Sequence, residues 1–149
     1  MGRKYAVPYS DTNTNATTLG AINAVTTTRG KIYDFIIGSS AAPADNAAKY
    51  VLQRFTATGT STAVTPTALD TGDPAALLTA GQAHTVEPTY TAGAILLQFA
   101  TNQRGTWRWV AAPGSELIIP STASNGIGLL VTAVAGGAVT TDGTIYYEE

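Results

Sequence analysis

Apolar residues in this chain come in short runs cut by Gly, Pro, Asn and Asp, and most runs alternate with a period of two. That rhythm predicts β-strands, whose successive side chains point to opposite faces. Lys31–Gly38 is the clearest case. Tyr33, Phe35 and Ile37 fall on one face, and Ile32, Asp34 and Ile36 on the other. The same reading places strands at Arg3–Tyr9, Thr17–Thr26, Lys49–Ala57, Glu116–Ile119, Gly126–Ala135 and Thr141–Glu148. Thr85–Thr91 is a short strand interrupted by Pro88. Ala94–Thr101 and Thr106–Ala111 are expected to form a hairpin across Asn102-Gln103-Arg104-Gly105. The last two strands are expected to form another through Gly136-Gly137 or Asp142-Gly143.

Two segments depart from the pattern. Ala48, Val51, Leu52 and Phe55 sit at helical spacing behind a capping Asp45 or Asn46, but strand alternation fits the segment better. Residues 58–84 read as one long irregular loop, with a single helical turn at Pro74–Leu78 capped by Asp73. Together these elements predict an all-β, single-domain, jelly-roll-like β-sandwich of about eight antiparallel strands. Residues 1–10 are an N-terminal arm or edge strand, because Pro8 suits an edge, and 11–149 are the sandwich. An immunoglobulin-like sandwich has less support, since its Cys…Trp…Cys pattern is missing.

Composition sharpens the picture at the surface. Charged residues are 12% of the chain, against roughly 25% in an average domain. A face built from Thr, Ser, Ala and Asn loses few hydrated ions when covered, so it suits contact with other subunits. An ordinary neutral, Thr-rich β protein of secreted or viral type would look the same, and both readings stand. The eight basic residues form no stripe, which argues against a nucleic-acid partner. No apolar run nears the ~20 residues of a membrane helix, and no signal-peptide run follows Arg3-Lys4. We therefore expect no membrane association and synthesis in the host cytoplasm. Absence of cysteine excludes disulfides and thiol chemistry.

Candidate chemistry is thin. His84 is the single histidine, so a His/Cys zinc site within one chain and a Ser–His–Asp triad both lack material, and no Gly-x-Ser-x-Gly elbow occurs. Asp70 and Asp73, or Glu87 and Glu116, could pair for acid–base work, and Asp70 and Asp73 could hold calcium. Asp70-x-x-Asp73-Pro74 is more simply a turn and cap. Gly126-Ile127-Gly128 has two of the three glycines of a dinucleotide fingerprint and opens a strand. Asn15-Ala16-Thr17 is a sequon expected by chance in a Thr-rich chain. Trp107 and Trp109 share one face of their strand; they fill the core or a subunit contact, or stack on a sugar. Arg104 and Arg108 are placed for ion pairs or aromatic stacking between subunits. The expectation is no enzyme, no cofactor and no metal.

Several stretches carry a resemblance: Ile32-Tyr33-Asp34-Phe35-Ile36-Ile37-Gly38, Pro43-Ala44-Asp45-Asn46-Ala47, Gln53-Arg54-Phe55, His84-Thr85-Val86-Glu87-Pro88, and Asn102-Gln103-Arg104 leading to Arg108-Trp109-Val110. Over about residues 5–148 the chain resembles a family of small virion proteins of tailed bacteriophages and prophages, similar to jelly-roll capsid decoration (cement) proteins. The resemblance implies a structural protein on the outside of an assembled head, with the major capsid protein as partner. Cyclic oligomers suit lattice axes, so a homo-oligomer, a trimer foremost, is expected. A tail, baseplate or head-completion component is the first alternative, and a carbohydrate-binding module using Trp107 and Trp109 the second. Arms and long loops reach neighbours most easily. Expected interface residues are therefore Arg3, Tyr5 and Tyr9 on the arm, Asp70, Asp73 and His84 on the long loop, and Arg104 and Arg108 near the hairpin.

Overall fold

A computed structural model describes residues 2–149, and every regular element in them is a strand. Twelve are present: β1 (Lys4–Asn13), β2 (Thr17–Asn23), β3 (Gly30–Ala41), β4 (Ala47–Ala57), β5 (Thr60–Val64), β6 (Thr67–Ala68), β7 (Thr79–Val86), β8 (Thr89–Asn102), β9 (Trp107–Val110), β10 (Leu117–Ile119), β11 (Gly126–Val134) and β12 (Val139–Glu148). They form two antiparallel sheets packed as a sandwich, in one domain. One sheet runs β6-β1-β12-β3, with β9 and β10 end to end along the far side of β3. The other runs β5-β7-β2-β11-β4-β8. With β9 and β10 taken as one interrupted strand, β1-β12-β3-β9/β10 faces β2-β11-β4-β8. That is the two-Greek-key order of a jelly roll. Strands β5, β6 and β7 are additions on the β1/β2 side.

Inner faces of both sheets supply the core. Tyr5, Val7, Phe35, Ile37, Ile145 and Tyr147 from one sheet meet Ile22, Tyr50, Leu52, Ile127, Leu129 and Val131 from the other. Burying each aliphatic side chain is worth about 1.5–3 kcal/mol relative to exposure. A bulge refines the alternation in β3. Asp34 pairs Tyr146 but Ile32 pairs Tyr147, so Tyr33 is the extra residue. The inserted residue shifts the period by one, so Ile32 is buried alongside Phe35 and Ile37 and Lys31 is turned out.

The segment read as a strand against a helical alternative is a strand, β4, paired with β11 and β8. Several other expectations need correction. Ala94–Thr101 and Thr106–Ala111 are not a hairpin: β8 bonds to β4 in one sheet and β9 to β3 in the other. The same holds for β11 and β12, joined through residues 135–138 but lying in opposite sheets. Residues 58–84 are not one loop, because β5 pairs with β7 and β6 caps β1. No helical turn forms at Pro74–Leu78. Nor is the N-terminal stretch a free arm. β1 pairs with β12 over its whole length and is an edge strand only beyond Ala6, where Pro8 sits.

Candidate functional site

The two flanks of the sandwich differ. On the β1/β2 side the added segment is tied down. Leu69 N–H donates to the Lys4 carbonyl at 2.8 Å, and the Tyr5 hydroxyl donates to the Pro74 carbonyl at 3.0 Å. The Glu149 carboxylate accepts from the N–H groups of Leu77 and Leu78 at 2.8 and 3.0 Å. On the opposite side the edges of β8 and β9 carry no further strand among the described residues. Fourteen residues of β8 include no charged side chain and no proline. β9 has one charge, Arg108. Ile95 and Val110 are 44% and 58% exposed, and Leu96, Leu97, Phe99, Trp107 and Trp109 are half-buried.

An aromatic cluster closes the mouth between these edges. Phe99 of β8 stacks on Trp107 of β9 with ring centroids 3.9 Å apart and a 12° interplanar angle. Tyr50 stacks on Phe99 at 5.2 Å, while Phe35 touches Phe99, Trp107 and Trp109 at 5.5–5.8 Å. Both tryptophans point inward, as their shared face required, with Trp107 held against Phe99 and Phe35. Arg108 points outward and grips Asp34 with two bonds of 3.0 and 2.5 Å. Asp34 is buried beneath it, and its carboxylate pushes the guanidinium pKa up.

One end of the sandwich is organised by Gln103, which is buried. Its Oε1 accepts from Ala44 N–H at 3.0 Å and its Nε2 donates to the Ala135 carbonyl at 2.7 Å. Its own N–H donates to the Asn46 carbonyl. The β3–β4, β8–β9 and β11–β12 connections thus meet on a single side chain. Beside it, Asn102 Nδ2 donates to Asp45, and Arg104 Nε reaches the Pro43 carbonyl at 3.4 Å.

The residues expected at an interface scatter. Arg3, Asp70 and Asp73 do come together, lining a shallow cavity of about 330 Å³ with Lys4 and Leu69. Asp70 and Asp73 also make the turn read from sequence: Asp70 Oδ1 accepts from Gly72 N–H, and Asp73 N–H donates to the Asp70 carbonyl. Tyr5 and Tyr9 are core residues, so neither is offered to a partner. His84 lies on β7, on the other sheet. Its Nδ1 is 3.3 Å from the Thr18 carbonyl, and its Nε2 is buried with no hydrogen-bond partner among the described residues. Burial lowers its pKa, opposed by Glu87, the Thr18 carbonyl and Asp11. Thr18 also donates its N–H to Glu87 Oε2 at 3.0 Å and shares a 2.7 Å bond with the Tyr90 hydroxyl. Arg104 lies in the β8–β9 connection and Arg108 on β9.

Sequence reasoning placed Gln103 in an exposed turn, whereas it is buried, and gave no role to Asp34 or Ile95. The signal for Ile95 was available as a run from Pro88 to Gln103 without a charge. Among the described residues no group of three or more His, Asp or Glu side chains is placed to hold a metal ion, and no helix is long and apolar enough to cross a membrane. No family model, curated protein or solved structure compared with the chain matches it.

Proposed function

We propose that this chain is a structural virion subunit, a capsid decoration (cement) protein that binds the outside of an assembled phage head through the major capsid protein and stabilises it. The observation that carries the reading is the bare flank: two edge strands, apolar side chains at their rim, and a single charge already spent on Asp34. Soluble monomers rarely leave such a combination uncovered. The jelly-roll order, the charge-poor surface and the resemblance over residues 5–148 support the same reading. Stabilisation follows from mass action, since a subunit that binds only the assembled shell shifts the balance against its disassembly. A tail or baseplate subunit would share all these features and differ in copy number. The sugar-binding alternative draws no support from the tryptophans, because Trp107 is stacked on Phe99.

The test is co-sedimentation of purified protein with shells of the cognate phage, followed by heating of decorated and bare shells. The reading expects saturable binding and a higher disruption temperature. Shells that bind no protein, or binding at only a few copies per particle, would refute it.

A further inference from the structure

Tyr5, Tyr147 and Ile32 turn inward, so Lys4, Glu148 and Lys31 point out from the first sheet, side by side on β1, β12 and β3. Tyr33, the extra residue of the β3 bulge, points out beside them, as bulges re-aim a side chain. Its ring lies 6.4 Å from that of Tyr146, tilted by 35°, and Lys4 Nζ sits 5.3 Å from its centroid. The turn after β9 makes the facing wall. Ala111 N–H donates to the Tyr33 carbonyl at 2.8 Å, Ser115 N–H donates to the Ala112 carbonyl at 2.8 Å, and Glu116 Oε1 accepts from Gly114 N–H at 3.1 Å. Lys4, Lys31, Tyr33, Pro113, Glu116 and Glu148 thereby line a cavity of about 240 Å³.

We propose that this cavity binds one neutral hexopyranose ring, a single sugar residue, laid against Tyr33 with its hydroxyl groups on the surrounding lysines and glutamates. The site is separate from the bare flank and does not rest on the virion reading.

Three features select that ligand. The cavity is smaller than the ~300 Å³ at which sites for drug-sized ligands begin, so it has room for one ring. Its charge is balanced. The chain has eight Lys and Arg and ten Asp and Glu residues, and two of each sign meet here. None of the four is ion-paired among the described residues. An anion would gain from the lysines and lose to the glutamates, and a cation the reverse. A hydroxyl donates to a carboxylate and accepts from an ammonium, so a neutral polyol uses both signs at once. Finally, Tyr33 supplies an apolar ring for the C–H face of a pyranose and a polar tip beside it. Its hydroxyl has no hydrogen-bond partner among the described residues. Burial, with Asp34, Tyr146 and Glu148, pushes its pKa up, so the phenol keeps its proton and donates. Glu116 is held below the usual carboxylate range by its own N–H, that of Gly114 and Lys31, so it remains an acceptor. The inward-facing Trp107 is stacked on Phe99 and offers no such surface.

A methyl hexopyranoside has about thirteen non-hydrogen atoms, which at the binding efficiency usual for small ligands gives a Kd of roughly 1 mM. The test is titration of the isotope-labelled chain with the methyl α-pyranosides of glucose, mannose and galactose, followed by amide NMR. Sorbitol, which has the hydroxyl groups but no ring face, is the control. At least one pyranoside should shift the signals of residues 31–33, 111–116 and 146–148 saturably, and sorbitol should not. Tyr33→Ala should abolish the response. Glu116→Ala, at a half-buried surface position, should weaken it about tenfold with the rest of the spectrum unchanged. No saturable shift with any of the three pyranosides overturns the proposal. So does an equal response to sorbitol, undiminished binding in Glu116→Ala, or a response centred on Trp107 and Trp109.

Discussion

Replacing Gln103 by Leu keeps the size of a buried side chain and deletes both of its amide contacts. Ala44 N–H loses its acceptor and the Ala135 carbonyl loses its donor. Leaving a fully buried polar group without a partner costs about 1–3 kcal/mol. Ala135 is exposed, so water replaces the lost donor there at little expense; Ala44 is half-buried and recovers less. The expected loss is therefore about 1–2.5 kcal/mol, or roughly 3–8 °C in midpoint for a chain of this size. Gln103→Glu supplies the control. Its carboxylate still accepts from Ala44 but sets a second oxygen against the Ala135 carbonyl, and this favours the protonated acid. The folded-state pKa of the new carboxyl then lies above the ordinary value of about 4.3. Stability of this variant relative to wild type is fully retained below that pH and lost as pH rises through the raised pKa. Urea unfolding of wild type and both variants at neutral and acid pH reads the effect. If Gln103→Leu unfolds within about 0.5 kcal/mol of wild type, the value ordinary for a surface change, the hub is not structural.

Removing residues 2–10 takes Tyr5, Val7 and Tyr9 out of the core, roughly 10 kcal/mol against a total stability of about 5–15, so the product should lack a cooperative thermal transition. A folded truncation product would show β1 to be dispensable. Gly126→Ala would drive a methyl into the Ile22 carbonyl and the Phe55 ring; we expect a loss of about 1–3 kcal/mol in urea unfolding, and an unchanged midpoint would contradict the close packing there. His84, its pKa lowered by burial, takes up its proton more readily when unfolded, so wild-type stability should fall as pH drops through about 6.5. His84→Gln should flatten that part of the pH profile, and an identical slope in the variant would rule out His84 as its source.

Strand positions were legible wherever apolar residues alternate. The alternation of Tyr5, Val7 and Tyr9 predicts a strand, although Tyr5 and Tyr9 line the core and not the interface expected of them, and residues 47–57 resolve as a strand because Tyr50 and Leu52 face the core while Val51 faces the other way, against Leu130. Partnership was less legible. A four-residue connection between two strands is as compatible with a tight hairpin as with an arch that crosses to the opposite sheet. What decides for the arch after β8 is the set of contacts from Gln103 to Ala44, Asn46 and Ala135, all distant in sequence. Strand β5 was hidden for another reason: its residues, Thr60–Val64, bury no side chain completely and so leave no hydrophobic period. The bulge at Tyr33 is likewise silent locally, since it depends on the partner β12. For the candidate site, lack of charge across β8 was readable, but its place at an uncovered flank depends on sheet order.

Strand β12 lies between β1 and β3, and β11 between β2 and β4, so the last quarter of the polypeptide fills the middle of both layers. During synthesis the first four strands therefore wait for their inner neighbours until β11 and β12 have emerged. A ribosome that stalls before residue 139 releases a chain whose β1 and β3 have no β12 to join them. Quality control falls to these two strands: a copy that lacks them has no finished layer to offer.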